Sequence, residues 1–380
     1  MATKTSAKLL IVDDRPDEVS PLARALKARR RRMKAEVRKP EEVTLDDLID
    51  ADLVLVDLDL EDWNGRRSSE AVALRPSDGL ALATVLRRQL ADKSGVSPTG
   101  FAILTAHVRK MSHPFAHDNR LHIIADINNL EWIFLKQDSD LIRKVSSLAG
   151  AIHSIPKNWS DGIKSPEEIS HALGFDESVL PLGRYAEVVQ ACHPPIYEVT
   201  QWSHGLAFVR WMLQNVLIYP CFLWDTHRVA ARLRIEVEAL RRLLDGKSKL
   251  ATRLANLQYK GMLSDFNGPR WWRVAVELFL WKITNGDSQN NAKLVTALQD
   301  LAGGPLKRTG VERPIVCIDQ NYKPMDRFYS LDEVVRVQPD DWPAYADSAF
   351  MTIEEVSAAR ALRNLVVSED LDKLEPATND

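Results

Sequence analysis

Four short apolar runs each stop at a polar residue, and this pattern constrains the chain more than any other feature of it. Lys8–Val12 ends in Asp13 and Asp14, Leu53–Val56 in Asp57, Phe101–Leu104 in Thr105, and Trp132–Leu135 in Lys136. Consecutive Val, Leu and Ile without polar alternation suit parallel strands buried on both faces. Between the runs lie segments with helical spacing, such as Val19, Leu22, Ala23 and Leu26, then 79–90 and 140–153. The alternation predicts an α/β fold, a doubly wound parallel sheet of five strands. The four runs are its first, third, fourth and fifth strands.

In an open parallel sheet the ligand crevice lies outside the carboxyl ends of the strands, where the strand order reverses. Asp13, Asp14 and Asp57 would meet there, and three neighbouring carboxylates repel one another by several kcal/mol unless a cation sits among them. A hard divalent ion such as Mg²⁺, held by a few carboxylates and several waters, answers that need. A carboxylate can then act as nucleophile toward a phosphoryl group. The metal, a hydroxyl and a lysine would neutralise the charge on the phosphoryl oxygens.

The strings LLIVDD (9–14), DLVLVDLDL (52–60), FAILTA (101–106) and FLK (134–136) resemble the receiver domains of bacterial two-component response regulators. The resemblance covers residues 6–150. It implies a flavodoxin-like fold, Asp57 as phosphoacceptor, and Asp13 and Asp14 as the acidic pair that holds Mg²⁺. It further implies that Asp59 offers its backbone carbonyl to the metal, that the Thr105 hydroxyl reorients on phosphorylation, and that Lys136 pairs with the phosphoryl group. Three departures stand out. The family's Pro and Gly after the acceptor are matched only by PSDG (76–79), behind an insertion at 61–75. Ile133 occupies the position of the aromatic switch residue, with Phe134 facing the other side of the strand. Gln137 stands where a proline is usual. The segment after Thr105 also carries His107, His113, His117 and His122 around Pro114, spaced like no standard metal site.

Beyond residue 153 the chain reads as a linker (154–165), a helical output or interaction domain (166–303), a small α/β part (304–367) and a polar tail (368–380). Thr226–Leu257 predicts one long amphipathic helix or a broken pair, and Trp271–Ile283 another helix. Pro314–Ile318 and Glu333–Val337 predict strands, and Thr352–Val366 a last helix. The segment 165–180 has the outline of a helix-turn-helix opening, but Asp176, Glu177 and Pro181 disfavour a DNA-reading helix. Arg228, Arg232, Arg234, Arg241 and Arg242 read as a solvated helix face, and Trp271 and Trp281 as core. Leu206–Trp224 is apolar, yet Arg210, Gln214, Asn215 and Pro220 interrupt it, which predicts a buried helix and no membrane span.

The net charge of −3 argues against a whole-protein grip on nucleic acid or anionic membrane. Cys192, Cys221 and Cys317 make no CxxC pair, which fits a reducing, cytoplasmic setting. The leading expectation is a cytoplasmic response regulator, phosphorylated on Asp57 by a histidine kinase or phosphotransfer protein with Mg²⁺, whose receiver controls an atypical helical output. Homodimerisation through the receiver is a further expectation. One alternative is a pseudo-receiver scaffold that works through protein contacts without phosphorylation. Another is an effector enzyme in the C-terminal half, switched by the receiver.

Overall fold

The unbroken apolar runs form a five-stranded sheet in a computed structural model that describes residues 6–29, 33–63, 76–91, 98–111, 120–155 and 205–374, with 173, 174, 189, 191, 192 and 194 between them. The strands are β1 (Ala7–Val12), β2 (Met33–Arg38), β3 (Leu53–Asp57), β4 (Gly100–Thr105) and β5 (Trp132–Leu135). Their order is β2-β1-β3-β4-β5, and every pairing is parallel. The expected flavodoxin-like, doubly wound receiver fold is the one observed. Strands β3 and β4 are buried at every position, which is why their sequences carry no period-two alternation. On one face Val54, Val56, Phe101, Ile103 and Ile133 pack with Leu82, Leu86 and Ile124 of the flanking helices.

The helices of this unit are α1 (Pro16–Arg29), α2 (Leu45–Asp50), α3 (Gly79–Ala91), α4 (Leu121–Ile127) and α5 (Leu141–His153). Helix α1 opens on Pro16 with Asp17 and Glu18 in its first turn, where a missing N–H costs nothing and negative charge meets the positive end of the helix dipole. Thr44 and Asp47 close a reciprocal capping box at the start of α2.

The chain divides into two compact units. The first comprises Met1–Leu173, Pro194–Asn215 and Gly261–Asn267, so helix α6 (Leu206–Trp211) belongs with the sheet. There Arg210 donates to both Asn129 and Glu131, and Arg143 of α5 donates to the carbonyls of Asp265 and Phe266. The Phe266 ring meets Trp132 edge-on at 5.1 Å between centroids.

The second unit comprises Gly174–His193, Val216–Lys260 and Gly268–Asp380. Where one long helix or a broken pair was expected over 226–257, three short ones form: α7 (Thr226–Leu233), α8 (Val237–Leu244) and α9 (Lys249–Asn256). Helix α7 stops because Arg234 turns left-handed (φ 58°), and α9 restarts on Ser248, whose hydroxyl accepts from the Ala251 N–H at 3.1 Å. The expected helix 271–283 begins two residues later, as α10 (Arg273–Ile283), because Trp271–Trp272 instead pairs antiparallel with Leu223–Trp224. Helix α11 (Asn291–Ala302) follows, capped by Asn290 and ended at Gly303 (φ 75°).

The strands expected at 314–318 and 333–337 form as Ile315–Ile318 and Val334–Val337, each in a hairpin-like pair, with Pro324–Tyr329 and Ala349–Thr352 respectively. Val316 and Phe328 share a core with Val229, Leu240, Val276 and Leu294 of the helices, while Val335, Val337, Ala349 and Met351 pack with Val356 and Val366 in a second cluster. The expected last helix breaks at Ala359, which is extended (φ −131°, ψ 108°), leaving Ile353–Ala358 and Arg360–Arg363. The polar segment expected as a tail from 368 folds as far as 374, because Asp370 accepts from the Arg336 backbone N–H at 2.8 Å and from its Nε at 3.1 Å. Among the described residues no helix is long and apolar enough to cross a membrane. All but the first two residues of the expected linker, most of the segment 165–180, His113, His117 and all but the first three residues of the insertion lie outside the described residues.

Candidate functional site

Strand order places the site. β1 pairs with β2 on one side and β3 on the other, so the connections leaving β1 and β3 diverge to opposite directions and open a crevice at their carboxyl ends. Asp13 and Asp14 directly follow β1, and Asp57 is the last residue of β3. All three are buried, with 1 %, 7 % and 1 % of their surface exposed. Each offers one carboxylate oxygen such that the three atoms lie within 4.8 Å of one another.

Each carboxylate has one oxygen held by the protein. Asp13 Oδ1 accepts from the Arg15 backbone N–H at 2.7 Å, an Asx turn that leads the chain into α1. Asp14 Oδ2 accepts from the backbone N–H of Asp62. Asp57 Oδ1 lies 2.8 Å from the Lys136 ammonium. The other oxygens, Asp13 Oδ2, Asp14 Oδ1 and Asp57 Oδ2, are buried without a hydrogen-bond partner. Buried polar atoms are almost always hydrogen-bonded, so three close acids that each keep one oxygen without a hydrogen bond, with Arg15 Nε 4.0 Å from Asp14 Oδ1, describe a cation cradle. Burial, opposed by the Arg15 N–H and reinforced by the charge of Asp57, pushes the Asp13 carboxyl up to about 6. Burial likewise raises the Asp57 carboxyl, against the pull of Lys136. A divalent ion would reverse both effects by favouring the charged forms. The residues present therefore fit Mg²⁺: oxygen donors only, and few in number.

The remaining predicted residues sit around this cradle. Thr105 ends β4, fully buried; its Oγ1 accepts from the His107 N–H at 3.0 Å, and its carbonyl accepts from the Lys136 N–H at 2.8 Å. The ends of β4 and β5 are thereby tied, which delivers Lys136 to Asp57. Asp59 lies two residues past β3, and its carboxylate pairs with Lys110 at 2.9 Å. Ile133, at the atypical switch position, is fully buried opposite Ile103, while Phe134 on the other face leans on Phe266 at 6.3 Å.

Two residues of the site escaped the sequence reading or were only half seen. Lys110 gave no signal, since an exposed lysine in an irregular segment resembles any other. Gly79 was visible only as part of PSDG. Its N–H donates to the Leu58 carbonyl at 2.9 Å, and a Cβ there would stand 1.8 Å from the Asp57 carbonyl oxygen. The start of α3 thus rests on the backbone of the acceptor residue, in spite of the insertion between them. Of the histidines, His107 is exposed and His122 buried on α4. Cys192 and Cys221 lie side by side, buried, and the Cys192 thiol is pushed up chiefly by its hydrogen bond with Cys221. His227 bonds Asp326 at 2.8 Å.

No family model matches this chain, and no curated protein does. Among solved structures, the receiver domain of the Francisella response regulator 1452 is similar, at 15% sequence identity and a TM-score of 0.23 over 39% of this chain and 97% of that one. RcsB from Salmonella enterica serovar Typhimurium, bound to promoter rprA with the phosphomimetic BeF3⁻, is similar at 16% identity and a TM-score of 0.26, over 51% of this chain and 98% of that one. At these values the fold assignment rests on the strand order and pairing described above.

Proposed function

We propose that the first unit is a working receiver, phosphorylated on Asp57, and that the protein is a response regulator with an atypical helical output. The observation that carries this reading is the set of three buried carboxylates, each with one oxygen held and one left unpaired. Asp13, Asp14 and Asp57 would hold Mg²⁺, with the Asp59 carbonyl as the family resemblance implies. When bound, the ion would neutralise charge on the phosphoryl oxygens.

The free oxygen of Asp57 attacks the phosphorus of a phosphohistidine on a kinase or phosphotransfer protein, or of a small phosphodonor. The P–N or P–O bond to the donor breaks, and an acyl phosphate forms. Lys136, already 2.8 Å from Asp57, keeps the carboxylate charged and then pairs with a phosphoryl oxygen. The Thr105 hydroxyl, now accepting from His107, turns to donate to another. That reorientation gives two discrete states, which phosphorylation biases. The setting is cytoplasmic.

Beryllofluoride binding with Mg²⁺, followed by calorimetry on wild type and Asp57→Asn, tests the reading. Uptake by wild type alone is the expected result. No uptake by either protein at any Mg²⁺ concentration sinks it.

A second reading has its own observation. Trp132, Phe134 and Arg143, on the β5–α5 side, contact Asp265 and Phe266 of the same unit. Part of the β5–α5 face of the receiver is therefore covered by the chain itself. In a scaffold working without phosphorylation these contacts would be permanent, and Asp57→Asn would retain full activity in cells.

A further inference from the structure

The second unit contains a cavity of about 430 Å³ lined by Arg228, Arg232, Arg234 and Arg313, with Trp224 and Phe350 among its apolar walls. The sequence reading treated three of these arginines as a solvated helix face. Two of the four are neutralised by the protein. Arg228 pairs with Asp225, and Arg232 forms a fork on Glu277, at 2.9 and 2.8 Å, with Ser288 beside it. The other two are not. Arg234 is only 7 % exposed, and its guanidinium donates to the Gln289 carbonyl at 3.1 Å. Among the described residues no carboxylate lies within 4.0 Å of it. Arg313 is exposed, and its side chain has no ion-pair partner among the described residues.

Burial first, then the charges of Arg232, Arg308 and Arg313, weaken the hold of Arg234 on its proton, and Glu312 offsets this only in part. Asp347 also lines the cavity but is paired with Arg273 at 2.6 Å, so the like charge left over in the recess is that of Arg234 and Arg313, and like charges without paired counter-ions are costly. The backbone adds a second sign: Arg234 is left-handed (φ 58°, ψ 37°), a conformation that glycine or asparagine adopts more readily. The strain is retained at a residue whose side chain faces a cavity, as strain at ligand sites often is.

We propose that this cavity binds a small phosphate-bearing molecule with an apolar, planar body, the chemistry of a nucleotide, its phosphate seated between Arg234 and Arg313. A guanidinium fork matches phosphate oxygens in pairs. The volume lies within the ~300–1,000 Å³ common for small-ligand sites, and Trp224 and Phe350 supply an apolar wall for the rest of the ligand.

Calorimetry on the full chain tests this, with adenosine 5′-monophosphate, inorganic phosphate and a duplex oligonucleotide as probes. Adenosine 5′-monophosphate is expected to bind, and inorganic phosphate at least tenfold more weakly. Arg313→Glu should weaken the nucleotide at least tenfold with an unchanged melting temperature. Arg242→Glu makes the same charge change on an arginine whose side chain is 67% exposed and outside the cavity, and should leave affinity unaltered. Equal loss in both variants would reduce the effect to diffuse charge and overturn the site. So would binding of the duplex alone, or of none of the three probes.

Discussion

The two units solve opposite charge problems, and they solve them differently. In the first, three carboxylates crowd the strand ends, and each keeps one oxygen without a hydrogen-bond partner, Asp14 Oδ1 having only Arg15 Nε at 4.0 Å. In the second, four guanidiniums line a cavity, and carboxylates of the same unit satisfy two of them. A charged cluster says little by itself, because Arg228 and Arg232 are as cationic as Arg234. The groups that the fold holds in place and leaves unpaired are what point to a ligand. By that criterion Glu131 is structural although it is a fully buried acid: Oε1 takes Arg210 at 2.9 and 2.6 Å, and Oε2 takes Arg87 at 3.0 Å and the Phe101 N–H.

The largest effect should come from breaking that structural case. Glu131→Ala strands two partly buried guanidiniums and should cost about 3–5 kcal/mol, read from urea unfolding. A change under ~1 kcal/mol would show the network to be surface-like and would blur the contrast with the acid cluster. Gly79→Ala comes next. The methyl meets the Asp57 carbonyl, backbone that cannot swing away, and the strain should reach ~3 kcal/mol and abolish beryllofluoride uptake. Normal stability and normal uptake would show that α3 starts clear of the acceptor.

A smaller effect distinguishes a ligand site from a structural cluster by pH. The Asp13 carboxyl titrates at about 6 in the folded, metal-free protein against 3.8 for the ordinary group. Between those values the native state holds a proton that the unfolded chain has lost, so metal-free stability falls as pH rises through that window. Mg²⁺ needs the charged form and should reverse the trend. The stabilisation on adding Mg²⁺, followed by the melting temperature, should be small at pH 5 and full by pH 7.5, where it amounts to about 1–3 kcal/mol at ten- to hundredfold excess over Kd. A pH-independent shift would place the ion elsewhere. In Asp13→Asn the shift should vanish.

The acid site was legible because each of its residues ends a strand, and strand ends are marked by the stop of an apolar run. Asp13, Asp14, Asp57, Thr105 and Lys136 are all of that kind. The arginine cavity was illegible for the converse reason. Arg228 and Arg232 lie on α7, Arg234 at its left-handed end, and Arg313 on a segment some 80 residues later; at helical spacing they look like any solvated face. Lys110, 51 residues from its partner Asp59, and the docking of Phe266 on Trp132 and Phe134 were hidden likewise, since no local pattern marks a contact between residues so far apart in the chain.

By itself, then, the sequence determined the parallel sheet, the positions of four of its five strands and the polar residues at their ends, because burial on both faces and the period of a helix are local properties of the chain, whereas β2 (Met33–Arg38), half-exposed, carries no such run. Only the tertiary structure decided which oxygens stay without a hydrogen bond, which arginines find carboxylates, that Gly79 must touch Asp57, and that Val316 and Phe328 join the core of the helices while Val335, Val337 and Met351 build a second one. Those outcomes depend on which distant groups arrive at the same place. Pairing or leaving unpaired a buried charge is settled by that arrival, and residue type alone does not settle it.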